Sequence, residues 1–324
     1  MTASTRTFSL KEFNRRLRHG DAIFDALTLT AALLALLVVL AIGWQLWQES
    51  HFTRQTFGWE LIIGADWNPY DDKFGALPFI YGTLQTSLLA LLIAVPLGLF
   101  IAIFLAELAP AWLSRILGFL VELLAAVPSV VYGLWGVYVF APTIVKPTGE
   151  FLQSFVGFLP LFAGSVSPQY SRLAASLILA VMILPTISAV SRDVFQAIPR
   201  AQREAALALG ATQWEMIAQV LVPYGLSGIL GAIILGLGRA LGETMAVTMV
   251  IGNNYNLTAS LLEPGSTMSA IIASQFGEAS SIDLFRSALI EMGLILFTIT
   301  LILNMLARLL VWRVARRVPT ELRV

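Results

Sequence analysis

Six long apolar runs constrain this chain more than any other feature of its sequence. Crossing the hydrocarbon core of a bilayer takes about 20 mostly apolar residues in a helix. The backbone polar groups of such a run must be satisfied within the segment, which a helix achieves. Only 12% of the residues are charged, against roughly 25% in a soluble domain. We therefore predict an all-α polytopic membrane protein with spans at residues 24–47, 82–106, 116–140, 173–190, 222–251 and 285–310.

The distribution of Lys and Arg among the connecting segments predicts the orientation of these spans. Cytoplasmic segments carry the excess of basic residues in membrane proteins. With the N-terminus inside, the inner segments hold 14 of the 20 basic residues and the outer segments five. We expect both termini inside, with a basic cytoplasmic N-terminus over 1–23, one transmembrane domain over 24–310 and a cytoplasmic tail over 311–324.

Several classes of function lack their sequence signature. The chain has no cysteine, which removes disulfides, thiolate metal sites and cysteine nucleophiles. None of its lysines follows a glycine, so there is no phosphate-binding P-loop, and neither HExxH nor GxSxG occurs. The formal net charge of zero gives no indication of nucleic-acid binding. We therefore expect neither an enzyme nor a nucleic-acid binder, and no cofactor or metal held by this chain.

The inner segment between the fourth and fifth spans, 191–221, has the sequence signals of two short helices. Pro199 is suited to the start of a helix, and the letters EAALA that follow shortly after are helix formers. Gly210 can end that helix. Thr212 with Glu215 three residues later has the pattern of a capping box. An exposed helix–turn–helix at the cytoplasmic face is suited to docking another protein.

The same loop resembles the cytoplasmic signature of binding-protein-dependent ABC importer permeases. The pattern of that family is EAA, three residues, Gly, nine residues, Ile, one residue and Leu-Pro. Here EAA begins at Glu204, followed by Gly210 and Pro223, while Val220 and Val222 replace the usual Ile and Leu. The resemblance implies a coupling helix that docks in a groove of a cytoplasmic ATPase. The residues assigned to that role are Arg203, Glu204, Ala205, Ala206, Leu209, Gly210, Ala211, Thr212 and Trp214.

Longer stretches across about residues 116–253 resemble the phosphate importer permeases of the PstC type within this family. These stretches are ELLAAVPSVVYGLWG, MILPTISAVSRDV, REAALALGAT and LGLGRALGETMAVTMVIGN. The resemblance implies one half of a pore in a bacterial inner membrane, beside a PstA-like second permease subunit. It also implies a PstB-like ATPase dimer that uses ATP and Mg²⁺, and a PstS-like external protein that delivers phosphate.

Two charged residues, Arg239 and Glu243, interrupt the fifth span. An arginine at the bilayer centre costs about 2.5–3.5 kcal/mol on insertion scales, and such residues normally face a cavity. The guanidinium is a planar fork of donors suited to oxyanions. A spacing of four residues predicts that Glu243 shares the helix face of Arg239, where it could hold the guanidinium and prevent an anion from being trapped. We predict that both residues line a substrate pathway, with a purely structural pair as the alternative.

Small residues are spaced four apart along the same span, as at Gly238 and Gly242. Such spacing lets helices approach closely. The sequence leaves open whether this face meets a partner subunit or packs within the chain.

Three other functions remain compatible with the residues. The nearest is a permease for another oxyanion, such as sulfate or molybdate. A second is a membrane signalling or scaffolding subunit whose loop recruits a cytoplasmic regulator. A third is an ion-driven secondary carrier, which would need midplane ion ligands that are sparse in these spans. Co-purification of an ATPase through residues 199–215 would separate the last two from the importer.

Overall fold

The computed structural model of this protein describes residues 21–317. Most of the predicted basic N-terminus and the end of the predicted tail lie outside the described residues. Within them the secondary structure is helical, as predicted, with two isolated β-bridges and no strand. In chain order the helices are α1 (Asp21–Glu49), α2 (His51–Phe57), α3 (Glu60–Ile63), α4 (Leu77–Ile103), α5 (Ala111–Ala126), α6 (Ser129–Trp135), α7 (Lys146–Val156), α8 (Arg172–Ala197), α9 (Arg200–Ala208), α10 (Gln213–Glu215), α11 (Val222–Gly242), α12 (Met245–Ile251), α13 (Met268–Ala279) and α14 (Asp283–Arg317).

Three π-helical stretches extend or join these helices. They are Phe104–Leu108 at the end of α4, Gly136–Val145 between α6 and α7, and Met216–Leu221 between α10 and α11. Six helical segments are therefore long and apolar enough to cross a membrane: Ile23–Glu49, Leu77–Leu108, Ser129–Val156, Arg172–Ala197, Gln213–Gly242 and Asp283–Arg313. The predicted number of spans is confirmed, and four of them contain the predicted runs.

The third span differs from the prediction. The run predicted at 116–140 is broken at Val127 and Pro128, whose ψ angles of 128° and 140° are extended rather than helical. Because proline disfavours the helical conformation of the residue before it, the apolar letters on either side belong to two helices. The crossing segment runs instead over Ser129–Val156. The first half of the predicted outer loop, 141–172, is consequently helical.

The fifth span also differs. The run predicted at 222–251 ends as a helix at Gly242, and a separate short helix, α12, covers Met245–Ile251. Apolar composition continues across this break, so composition alone does not reveal it.

Helix α8 lies at the centre of the core, and glycines on both of its neighbours let them approach it. A Cβ atom at Gly98 of α4 would lie 3.0 Å from the Ile187 side chain, and one at Gly236 of α11 would lie 2.9 Å from it. Ile187 itself is fully buried. The close contact of α4, α8 and α11 therefore depends on small residues, as expected for helices that pack in lipid.

The loop between α12 and α13 is fixed to the start of α8 by a fully buried arginine, Arg172. Its Nη1 donates to the carbonyls of Thr258 at 2.6 Å and Ser260 at 3.2 Å, and its Nη2 donates to Asn256 at 3.1 Å. Gly265 makes room for this side chain, because a Cβ atom there would lie 2.2 Å from Nε. Arg172 is one of the five basic residues assigned to the outer segments, and the structure shows that its side chain satisfies loop carbonyls inside the protein.

Candidate docking loop and anion pathway

Between α8 and α11 the first of the two predicted short helices, α9, forms as a separate helix. The second, α10, is instead the first turn of the continuous helical segment Gln213–Gly242. Helix α9 begins directly after Pro199 and ends at Ala208. Gly210 follows with a φ of 88°, a conformation that glycine adopts without steric cost. The N–H of Gly210 donates to Leu207 O at 3.0 Å and that of Ala211 to Ala206 O at 3.1 Å. This pair of bonds is a Schellman motif, so the predicted helix end at Gly210 is confirmed.

The start of the second helix is equally well defined. The Thr212 hydroxyl accepts from the Glu215 N–H at 3.3 Å, and a carboxylate oxygen of Glu215 accepts from the Thr212 N–H at 2.8 Å. These reciprocal bonds form the predicted capping box. The two caps fix the angle of the turn between α9 and α10.

The predicted coupling residues divide into an outward and an inward group. The outward group includes two apolar side chains, Leu209, which is 90% exposed, and Trp214, which is 69% exposed. Glu204, Ala205 and Thr212 are also exposed. The inward group consists of Ala206, which is buried, Ala211, which packs against the same apolar cluster, and Arg203, which is largely covered. Large apolar side chains exposed at a polar helix end are typical of an interaction site.

Arg203 connects the loop to the ends of two long helices. Its Nε and Nη2 donate to both carboxylate oxygens of Glu107, at distances between 2.6 and 3.1 Å. Its Nη1 donates to Ile198 O and its Nη2 to Phe195 O, both at 2.6 Å. Glu107 lies on the π-helical turn that ends α4, and Phe195 and Ile198 lie at the end of α8. The side chain of Glu107 is only 8% exposed, so this ion pair is shielded from water.

Arg239 has few partners by comparison. It lies near the end of α11 and is half-buried. Its Nη1 donates to the Thr186 hydroxyl of α8 at 3.4 Å, close to the upper limit for a hydrogen bond. Among the described residues, no carboxylate oxygen lies within 4.0 Å of its guanidinium.

Glu243 does not pair with Arg239, and the prediction that the two share a helix face is wrong. Helix α11 ends at Gly242, and Glu243 has an extended ψ of 124°. Its carboxylate accepts instead from the N–H of Ala246 at 3.3 Å, near the start of α12. The backbone carbonyl of Glu243 accepts from the Ser269 hydroxyl at 2.9 Å. The residue therefore stabilises the break between α11 and α12 rather than neutralising the arginine.

Two helix breaks and one proline lie on elements that contact α11 or the helix that follows it. Thr186 directly follows Pro185 inside α8, which continues as a helix. The Tyr132 hydroxyl bridges the break between α5 and α6 by donating to Leu124 O at 2.8 Å. The second break follows Gly242. At membrane depth, non-helical backbone is tolerated where it is buried in protein or lines a wet cavity, so this layer is suited to a polar pathway.

The small residues of α11 cover two different faces. A Cβ at Gly228 would clash with Val194 of the same chain, as Gly236 would with Ile187. By contrast, nothing within 4 Å would meet a Cβ at Gly231, Gly238 or Gly242. The first face packs within the chain, and the second is open on either side of Arg239.

Sequence reasoning missed two residues of this arrangement, Glu107 and Thr186. Glu107 is 96 residues from its partner along the chain, a separation at which no local pattern indicates contact. The hydroxyl of Thr186 lies within an apolar run, beside Pro185. Metal ligation is not indicated: within residues 21–317, no three His, Cys, Asp or Glu side chains are grouped as a metal site.

Curated relatives resemble this chain over nearly its full length. The phosphate transport system permease protein PstC of Mesorhizobium japonicum is 45% identical over 309 residues, covering 94% of this chain and 93% of the relative. That of Pasteurella multocida is 44% identical over 307 residues, 93% of this chain and 95% of the relative. The probable PstC protein of Methanocaldococcus jannaschii is 35% identical over 300 residues, with 91% and 94% covered.

Solved structures give the same fold at lower identity. The crystal structure of a bacterial alginate ABC transporter, in complex with an alginate pentasaccharide-bound periplasmic protein, contains a chain similar to this one. The TM-score is 0.60 at 17% identity, covering 90% of this chain and 96% of the other. The family model of the binding-protein-dependent transport system inner membrane component matches residues 94–317. This protein belongs to that family of ABC importer permease subunits.

Proposed function

We propose that this chain is the transmembrane permease subunit of an ATP-driven importer that moves inorganic phosphate into the cytoplasm. The observation that carries the proposal is Arg239, a half-buried cation without a carboxylate partner among the described residues, close to the break that ends α11 at Gly242. An arginine in a span is functional by default, because its insertion is costly. The curated relatives supply the identity of the anion, since they are phosphate permeases.

The free donors of Arg239 suit a transported anion better than a resident one. A guanidinium presents five N–H donors in a fork that matches the oxygens of phosphate. Among residues 21–317, only one of them has a partner, the Thr186 hydroxyl at 3.4 Å. Phosphate can therefore replace water at this site without displacing an ion pair. A single arginine holds the anion weakly enough for release, which transport requires as much as entry.

In this proposal the docking loop lies on the cytoplasmic side of a bacterial inner membrane, and both termini are cytoplasmic. A PstB-like ATPase dimer, which binds and hydrolyses ATP with Mg²⁺, contacts Leu209 and Trp214. A PstA-like permease covers the open glycine face of α11, so that Arg239 lies between the two subunits. A PstS-like external protein delivers phosphate to the opposite end. Closure of the ATPase dimer then alternates access to the Arg239 layer. This chain itself binds no cofactor and performs no hydrolysis.

The test is uptake of radiolabelled phosphate into vesicles that contain this chain, its partner permease, the ATPase and the external binding protein. Wild type is compared with Arg239→Gln, with and without ATP, and with excess sulfate. Arg286→Gln is the matched control, because Arg286 forms an exposed ion pair with Asp283 at the start of α14. We expect ATP-dependent uptake that sulfate does not inhibit, that Arg239→Gln abolishes and that Arg286→Gln retains.

Each other outcome identifies a different error. Uptake displaced by sulfate would keep the importer but change the substrate to another oxyanion. Normal uptake by Arg239→Gln would remove this residue from the pathway. An assembled complex that binds the ATPase without moving phosphate would support the signalling or scaffolding function. Uptake that persists without the ATPase would support an ion-driven carrier.

A further inference from the structure

We propose that Glu107 is a positioning residue for the docking loop: it holds Arg203 so that movement of α9 is transmitted to the ends of α4 and α8. The inference rests on the proposed function, because it concerns how docking reaches the membrane spans. Glu107 lies outside the docking loop and outside the signature that identifies it.

The contact joins three elements at one guanidinium. Arg203 uses four of its five N–H donors. Nε and Nη2 each donate to one oxygen of Glu107. The second N–H of Nη2 donates to Phe195 O, and Nη1 donates to Ile198 O. Charge-assisted bidentate pairs are the strongest hydrogen bonds in proteins and fix the relative orientation of the groups. The start of α9 is thus attached to the end of α4 and the end of α8 together.

The surroundings of Glu107 make this attachment stiff. The carboxylate is carried by a π-helical turn, where Ala109 N donates to Phe104 O at 2.8 Å. Helix α5 secures the same turn, since the Ser114 hydroxyl donates to Leu105 O at 2.7 Å. The carboxylate borders an open cavity, but the side chain of Glu107 is only 8% exposed, so little of it is left for water to contact.

The attachment also gives the loop a route to the anion pathway. Phe195 and Thr186 lie on the same continuous helix, α8, nine residues or about 14 Å apart at 1.5 Å per residue. Thr186 is the residue that accepts from Arg239. A displacement of α9 that reaches α8 through Arg203 is therefore also a displacement of the group that contacts Arg239. Without Glu107, Arg203 would keep only the two backbone carbonyls, and α4 would no longer follow the loop.

A second arginine–carboxylate pair at this end of the molecule provides a matched control. Arg192 of α8 donates to Glu122 of α5 at 3.1 Å, but Glu122 is 57% exposed and neither residue lies on α9. Each pair joins an arginine on α8 or α9 to a carboxylate on α5 or on the turn just before it. Only the Glu107 pair includes the docking loop.

The experiment measures phosphate moved per ATP hydrolysed in the complete vesicle complex, for wild type, Glu107→Gln, Glu107→Asp and Glu122→Gln. The wild-type complex must first show ATP-dependent uptake, and its absence would refute the proposed function rather than this inference. We expect Glu107→Gln to assemble and hydrolyse ATP while the ratio falls about tenfold or more, within the roughly 5- to 150-fold range of coupling between sites. Glu107→Asp should recover part of the ratio, and Glu122→Gln should match wild type.

Unchanged stoichiometry in assembled Glu107→Gln would overturn the inference. So would an equal loss in Glu122→Gln, since that outcome would show a general effect of losing an ion pair.

A distance measurement tests the inference even if Glu107→Gln fails to assemble. The chain has no cysteine. A double variant, Leu108→Cys with Ala201→Cys, therefore carries spin labels at these two positions and nowhere else in the chain. The partner subunits used with it are cysteine-free. Both positions are exposed, and Glu107 and Arg203 are unchanged in this variant. We expect the 108–201 distance to stay constant between the nucleotide-free and ATP-bound states while the loop moves. A distance that changes with nucleotide would show that α9 moves independently of α4, contrary to the inference.

Discussion

Arg203 and Arg239 lie at two levels of the same helical bundle and have opposite surroundings. Arg203 has four N–H donors on fixed acceptors, two of them on the oxygens of a nearly buried carboxylate. Arg239 has one hydrogen bond, at 3.4 Å, and no carboxylate partner among the described residues. A guanidinium whose donors are occupied holds protein segments together, whereas one whose donors are free can bind a group that arrives and leaves. In our proposals this difference separates the residue that transmits movement, Arg203, from the residue that meets the anion, Arg239.

The largest expected effect separates the two arginines by stability. Arg203→Ala leaves Glu107 buried without its partner, and loss of one member of a buried pair costs about 3 kcal/mol or more in the free energy of unfolding. Arg239→Ala removes one long hydrogen bond and should cost less than about 1 kcal/mol. Thermal unfolding of the purified complex in detergent, with Arg286→Ala as control, measures both. Equal destabilisation by the two variants would contradict the comparison.

The next effect separates charge from geometry at Arg239. Lysine keeps the positive charge but loses the planar fork that matches an oxyanion. We expect Arg239→Lys to reduce the initial rate of phosphate uptake about tenfold and Arg239→Gln about a hundredfold, one and two steps of roughly 1.4 kcal/mol. The rates are measured in vesicles with equal amounts of assembled complex. If lysine transports as well as arginine, the fork has no role and only the charge matters.

The two arginines also show how far the sequence predicts this structure. Local signals sufficed for the loop: Pro199, Gly210 and the pair Thr212 and Glu215 gave its helix start, its turn and its capping box, because each acts within about four residues. The number of spans followed from composition, since lipid demands a fixed length of apolar helix. The coupling role of Arg203 came from a resemblance, but its partner Glu107 did not, because nothing local connects residues 96 apart.

The errors at the third and fifth spans have one physical cause. Hydropathy reports whether a residue suits lipid and says nothing about whether the helix continues. At Pro128 the proline is a local signal for the end of a helix, which a prediction from apolar composition does not use. At Gly242 and Glu243 the spacing rule for helix faces was applied across a point where the helix had already ended. A charged residue that follows glycine in an apolar run is better treated as the cap of the next helix.

A smaller effect tests the geometry of the docking loop against a matched glycine. Gly210→Ala places a Cβ at a φ of 88°, in open space, so its cost is conformational and about 1 kcal/mol. Gly277→Ala introduces the same methyl group in equally open space within helix α13, where alanine is favoured. We expect about fivefold weaker binding of the ATPase to Gly210→Ala, measured by titrating the ATPase onto the immobilised permease, and no change for Gly277→Ala. Equal binding by both variants would show that the turn conformation does not set the docking angle.

The smallest effect concerns how firmly Arg239 is held. Thr186→Val removes the hydroxyl that accepts from Arg239 and keeps the shape of the side chain, so only a long hydrogen bond is lost. A net hydrogen bond contributes about 1 kcal/mol, and one at 3.4 Å contributes less, so we expect uptake to fall by no more than about fivefold. Ser188→Ala is the control, because its buried hydroxyl bonds only to Pro185 O of its own helix. A loss as large as that of Arg239→Gln would mean that Thr186 fixes the guanidinium rigidly or contacts the anion itself. In the first case Arg239, like Arg203, would be held firmly by the protein. The two arginines would then no longer differ in whether their guanidinium groups are fixed.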